Sequence, residues 1–201
     1  MTDFFARMDE VRDRWDVLRH SFYQRWSNGE LSRDELGFYA GQYRHAVVAL
    51  ADAAAHGGDA GHAAEERSHV ALWDGFLSAY GGDAAALATP ETAACATAWA
   101  DGERDQVATL TALYAIEAAQ PAISETKRAG LVEHYGAEAG SEATRYFDLH
   151  ATLDVEHAAR AREELALVME PSDEERLIAE AERVLKANWE LLDGVEARAA
   201  A

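Results

Sequence analysis

Three side chains late in the chain, His150, Asp154 and His157, stand at spacings i, i+4 and i+7. A helix turns about 100° per residue, so the three fall within an arc of roughly 60° on one face. Two imidazoles and a carboxylate on one stripe can hold a divalent cation. They can also make a solvated polar face. Aspartate is a poor residue for a helix interior, so the run His-x-x-x-Asp-x-x-His is an odd way to build a plain surface.

Two other segments bring the same residue types into apolar patterns. In "GHAAEERSHVALWDGFLSAY" the apolar stripe of Trp73, Phe76 and Tyr80 continues backward to His69, Glu66 and His62. Glu66-x-x-His69 therefore points where a core is expected, unless the first turns of that helix are exposed. Glu65, at i−4 from His69, lies close to the same face and stays open as an alternative to Glu66. In "VATLTALYAIEAAQPAI" the residues Leu110, Leu113, Tyr114, Glu117 and Pro121 share a stripe. A lone glutamate there is costly if buried without a partner, and ordinary if the helix end reaches solvent.

Together these segments form a constellation. Helical bundles build dinuclear carboxylate centres from paired acid-x-x-His motifs plus lone carboxylates on facing helices. The pairs here are Glu66-x-x-His69 and Asp154-x-x-His157, with Glu117 as a further carboxylate and His150 as the sixth ligand. Three imidazoles and three carboxylates suit two iron(II) ions with positions left for dioxygen. Manganese fits the same donors, and no thiolate is present to select zinc.

Such a site needs helices to carry it. Alternating β-branched runs are nearly absent and helical periodicity runs throughout. The pattern predicts helices near 3–26, 33–56, 60–80, 90–101, 104–118, 121–135, 141–169 and 173–197. "SRDE" at Ser32 and "SDEE" at Ser172 read as capping boxes, and "SNGE", "HGGD", "YGGD" and "YGAEAGSE" as breaks. The expectation is an all-α fold, a single domain over 1–201 built as one bundle of seven to eight helices. At 201 residues and 49% hydrophobic content the chain can bury a real core.

Charge and composition exclude some functions. Asp and Glu number 37 against 18 Lys and Arg, a formal charge of −19 that repels nucleic acid and anionic membrane. No run of about 20 apolar residues marks a membrane span. The first twenty residues are charged throughout and lack an apolar signal core, and the single cysteine, Cys95, permits no internal disulfide. A cytoplasmic protein without nucleic-acid or membrane partners is expected.

The ligand pattern resembles that of the haem-oxygenase-like diiron oxidases, whose superfamily includes TenA and PqqC, and the similarity covers most of the chain. "HSFYQRWSNGELSRDELGFYAGQY" resembles the family's first helix pair, "EERSHVALWDGF" its Glu…His segment, and "ALYAIEAAQPAISETKRAGLVEHYG" its central glutamate segment. "HATLDVEHAARAREE" resembles its last motif. Within that group these segments are similar to the CADD-like para-aminobenzoate synthases. In that family a tyrosine of the enzyme becomes the aromatic ring and a lysine donates the amine. The resemblance implies Tyr23 as the consumed tyrosine, Lys127 as the amine donor and Tyr39 as a second tyrosine near the site. It implies a haem-oxygenase-like fold, two iron ions, dioxygen and a reductant as co-substrates, a role in folate biosynthesis, and a homodimer.

One departure stands out. The family places a short insertion between its acidic pair and the histidine, whereas "EERSH" is compact here. TenA-type hydrolysis fits poorly, because it needs a nucleophilic cysteine late in the chain and Cys95 lies elsewhere. A PqqC-like cofactorless oxidase would not need six ligands. Two other readings remain open: a diiron oxidase acting on an external fatty acid or amino acid, and a non-enzymatic helical module.

Overall fold

In a computed structural model, residues 2–199 are described, and all regular structure among them is helical. The α-helices are α1 (Thr2–Arg14), α2 (Ser21–Ser27), α3 (Arg33–His56), α4 (Ala60–Ala79), α5 (Pro90–Trp99), α6 (Gln106–Glu117), α7 (Gln120–His134), α8 (Arg145–Val168) and α9 (Glu174–Ala199). Short 3-10 turns lie at Val17–Arg19 and Pro171–Asp173. Among the described residues no helix is long and apolar enough to cross a membrane.

The expected all-α bundle is present, with its first helix divided. The pattern over 3–26 reads as one helix, but α1 and α2 flank a 3-10 turn. Asp16 accepts from the Leu18 amide at 3.0 Å, and the His20 ring accepts from the Phe22 amide at 3.0 Å. Two side-chain caps thus restart the chain direction where no Gly or Pro announces a break. Ser32 and Glu35 do form the expected capping box of α3. Ser172 does not cap α9: it lies inside a 3-10 turn, and Asp173 accepts from the Glu170 amide at 3.3 Å.

Helix α3 packs along α4, and α8 packs along α4, α6 and α7. Their shared core is aromatic: Trp26, Tyr39, Tyr43, Trp73, Phe76 and Phe147 are all buried. Indole nitrogens tie the helices together. Trp73 donates to the Ala40 carbonyl at 2.8 Å, and Trp26 to the Lys127 carbonyl at 3.2 Å. The second bond needs a close approach. A Cβ at Gly130 would meet the Trp26 ring at 2.6 Å, so only glycine lets α7 lie this near α2. That contact sets Tyr23 and Lys127, on those two helices, toward the same interior.

Candidate metal centre and its aromatic neighbour

Helix α4 carries Glu66 and His69, α6 ends at Glu117, and α8 carries His150, Asp154 and His157. All six sequence-predicted ligands converge inside the bundle. Glu66, Glu117 and Asp154 are each only 1% exposed. The alternatives of an exposed start to α4 and a solvent-reaching end to α6 do not hold. Asp59 starts α4 by accepting from the Gly61 and His62 amides, about two turns before Glu66. Asp105 caps α6 by accepting from the Ala108 amide at 2.8 Å. Glu65 sits at the rim, its side chain 42% exposed and its Oε2 3.3 Å from His157 Nε2. Glu66 points inward, with Oε1 3.3 Å from His69 Nδ1 and 4.0 Å from His157 Nδ1.

One residue joins this group that the six-ligand pattern left out. His62, one turn before Glu66, places Nε2 at 3.1 Å from Glu117 Oε1. The sequence signal existed, since His62 lies on the stripe of Glu66 and His69. What it could not show is that the end of α6 arrives opposite it.

The buried polar atoms here face one another without bonding. Glu66 Oε1, His69 Nδ1, Glu117 Oε1, His150 Nε2, Asp154 Oδ2 and His157 Nδ1 all lack a hydrogen-bond partner. Buried polar groups are otherwise nearly always satisfied, so these six unpartnered atoms, with His62 Nε2 as a seventh, mark a missing common partner. Within each of three sets the donor atoms lie within 4.8 Å of one another: Glu66, His69 and His150; Glu66, Asp154 and His157; His62, Glu117 and His157. His150 also shows its tautomer. Its Nδ1 lies 2.7 Å from the Tyr146 carbonyl, which can only accept, so Nδ1 carries the proton and Nε2 presents a lone pair to the tract. The donors are imidazole and carboxylate, the chemistry that iron(II) or manganese(II) takes. The residues fit a metal centre.

Electrostatics agree. Burial, then the charges of Glu117, Glu66 and Glu65, push the Asp154 carboxyl up to about 9. Burial pushes His150 down to about 4, leaving it a neutral ligand at ordinary pH. A divalent cation would remove the carboxylate repulsion.

Beside this tract lies a second interior, built from α2, α3 and α7. Lys127 is 1% exposed. Its Nζ lies 4.4 Å from the centre of the Tyr43 ring, 5.4 Å from Tyr23, and 5.5 Å from each of Tyr39, Trp73 and Phe147. Burial pushes its pKa well down, and among the described residues no carboxylate counters that. The Tyr23 and Tyr39 hydroxyls share a hydrogen bond of 2.7 Å. Burial raises both phenols well above their usual range. Phe147 connects the two interiors, since it touches Lys127 and stands one helical turn before His150.

Comparison with known proteins agrees with this architecture. Residues 30–189 match the family described as iron-containing redox enzyme, of haem-oxygenase type. The chain belongs to that family and is a redox enzyme of the iron-containing class. It is 29% identical to a 4-aminobenzoate synthase of Nitrosomonas europaea over 96% of this chain and 90% of that one. It is 30% identical to a 4-aminobenzoate synthase of Chlamydia trachomatis over 94% and 87%. Among solved structures, a TenA homologue from Pseudomonas syringae superposes with a TM-score of 0.81 at 18% identity, over 98% of this chain and 92% of that one. A haem-oxygenase-like domain from Shewanella denitrificans gives 0.78 at 18% identity, over 96% and 91%.

Proposed function

We propose that this enzyme makes 4-aminobenzoate from its own Tyr23, with Lys127 supplying the amine and a dinuclear iron centre supplying the oxidising power. The observation that carries the reading is Lys127: an amine sealed among three tyrosine rings, with no carboxylate partner, next to a tract of unpartnered metal donors. The 4-aminobenzoate synthases of Nitrosomonas and Chlamydia to which the chain is similar support the same reading.

Each residue has a part that its surroundings explain. Glu66, His69, Glu117, His150, Asp154 and His157 would hold two iron ions, with manganese as an alternative. Bound iron(II) supplies the activation of dioxygen, drawing on an external reductant. Burial pushes Lys127 toward its neutral form, whose nitrogen holds the lone pair that amination needs. Tyr39 fixes the Tyr23 hydroxyl through their 2.7 Å hydrogen bond, and the raised phenol pKa keeps Tyr23 protonated until it is attacked. The aromatic walls exclude water from both side chains.

The opening onto the metal tract also favours an internal substrate. Lined by Asp59, His62, Glu117, His157 and Arg160, it encloses about 80 Å³. Ordinary small-molecule sites span roughly 300–1,000 Å³. The opening suits dioxygen and metal ions better than a fatty acid.

The test uses protein grown on ring-labelled tyrosine, loaded with iron(II) and exposed to air with a reductant. Labelled 4-aminobenzoate is expected without any added aromatic precursor, in no more than a few equivalents. Tyr23→Phe is expected to abolish release and leave iron content unchanged, because Tyr23 is not among the ligands. Labelled product from Tyr23→Phe would show that another residue is the ring source.

A further inference from the structure

We propose that His62 is a seventh metal-binding residue, a fourth imidazole that holds the metal position at the open end of the tract. The proposal rests on the dinuclear reading above and extends it to a residue outside the six-ligand pattern.

The first observation is an internal repeat in the site. Helix α4 carries His62-x-x-x-Glu66-x-x-His69, and α8 carries His150-x-x-x-Asp154-x-x-His157. The two helices present one spacing, His, acid at i+4, His at i+7, and they meet in opposite senses. The His62 ring lies 4.6 Å from the His157 ring, and the His69 ring 4.6 Å from the His150 ring. Each end of the tract therefore offers a pair of imidazoles. Two carboxylates, Glu66 and Asp154, stand between the ends, and Glu117 comes in beside His62. An assignment that stops at six ligands uses both imidazoles at one end and only His157 at the other.

The second observation is that the polar contacts of the His62 ring all lie inside the tract. It is 8% exposed, and its Nε2 has no hydrogen-bond partner. That atom lies 3.1 Å from Glu117 Oε1 and 3.8 Å from Glu66 Oε1. A structural His–Glu pair at the shorter distance would be a directed hydrogen bond. Here neither atom of the closer pair is satisfied. Two unbonded donor atoms side by side in a buried site are the arrangement that a shared cation relieves. Donor atoms of His62, Glu117 and His157 lie within 4.8 Å of one another.

The third observation is place. His62, Glu117 and His157 all line the opening of about 80 Å³, whereas His69 and His150 do not. The Asp59 cap holds the backbone of His62 by accepting from its amide at 3.0 Å, so the ring is presented from a fixed helix start. One metal position is thus enclosed by Glu66, His69 and His150. The other, at His62, Glu117 and His157, is the one that the exterior reaches.

Anaerobic iron(II) titration of the full chain tests this, with metal content measured after gel filtration and the fold checked by melting curve. The parent is expected to bind close to two equivalents. His62→Ala is expected to bind one equivalent as the parent does and the second at least about tenfold more weakly, since removing even an outer-shell partner of a metal ligand costs that much. His62→Gln keeps a hydrogen-bonding group toward Glu117 but no imidazole, and is expected to lose the same equivalent. Because the position opens outward, millimolar free imidazole should restore it in His62→Ala. Cobalt(II) loading gives a second readout, since loss of one imidazole should alter the visible absorption of only one of two cobalt ions. Parent-like binding of two equivalents by both variants would overturn the proposal and leave the dinuclear reading intact. Failure of the parent itself to bind metal would overturn that reading and the proposal with it.

Discussion

The two interiors on either side of Phe147 meet the same difficulty in opposite ways. Both bury ionisable groups, which is costly for the charged form. The metal tract gathers three carboxylates and four imidazoles with their donor atoms unsatisfied. The aromatic chamber seals in one lysine with no counter-charge. The tract is relieved in part by the proton on Asp154, and its unpartnered donor atoms as a set are satisfied by importing a cation. The chamber can be relieved by losing a proton, since a neutral amine among rings carries little desolvation cost. One region is therefore incomplete without a ligand, and the other becomes reactive without one.

The largest effect expected from this contrast is on thermal stability. Metal that binds the folded state alone stabilises it by about 4 kcal/mol at a thousandfold excess over Kd. In a chain of this size that is roughly 8–16 °C in Tm. Iron(II) or manganese(II) should produce such a rise by calorimetry, and His150→Ala should remove most of it. A melting curve that ignores both metals would mean that the tract is an ordinary polar core, and the contrast with the chamber would collapse.

A smaller effect of opposite kind is expected in the chamber. Lys127→Met keeps the length and removes an unpaired buried amine, so metal-free protein should gain about 1–3 kcal/mol in denaturant unfolding. The same variant should make no 4-aminobenzoate while binding iron normally. Loss of stability in Lys127→Met would show that the amine has a partner and is not held for chemistry.

The smallest effect is a proton linkage that belongs to the tract alone. With its pKa at about 9 in the metal-free site, Asp154 holds a proton at pH 7. Metal needs the carboxylate, so binding expels that proton and becomes tighter as pH rises. One proton corresponds to about 1.4 kcal/mol, or tenfold in affinity, per pH unit. His150, at about 4, is already neutral above pH 6 and adds nothing. Titration calorimetry at pH 6, 7 and 8, in buffers of different ionisation enthalpy, should show this release. Affinity that is flat with pH would remove Asp154 from the ligand set.

The sequence by itself determined which helices exist and which face of each is polar. Periodicity of 3.6 is a local property, so the stripes His150–Asp154–His157 and Glu66–His69 could be drawn without knowing what they face. The capping box at Ser32 is also local chemistry, although the one read at Ser172 did not form and the division between α1 and α2 escaped, because the apolar stripe of 3–26 continues across side-chain caps at Asp16 and His20. Only the tertiary structure decided how those faces meet. The turn between α6 and α7 sets the rotation of Lys127, and Gly130 sets how near it comes to Tyr23; neither follows from a period along one helix. Glu65 and Glu66 are adjacent and differ by about 100° around α4, so the way α4 packs against its neighbours put one at the rim and the other inside. His62 was visible on its stripe. Its meeting with Glu117 required the end of a helix some fifty residues further on, because ligand sets form across helices while sequence patterns are written along them.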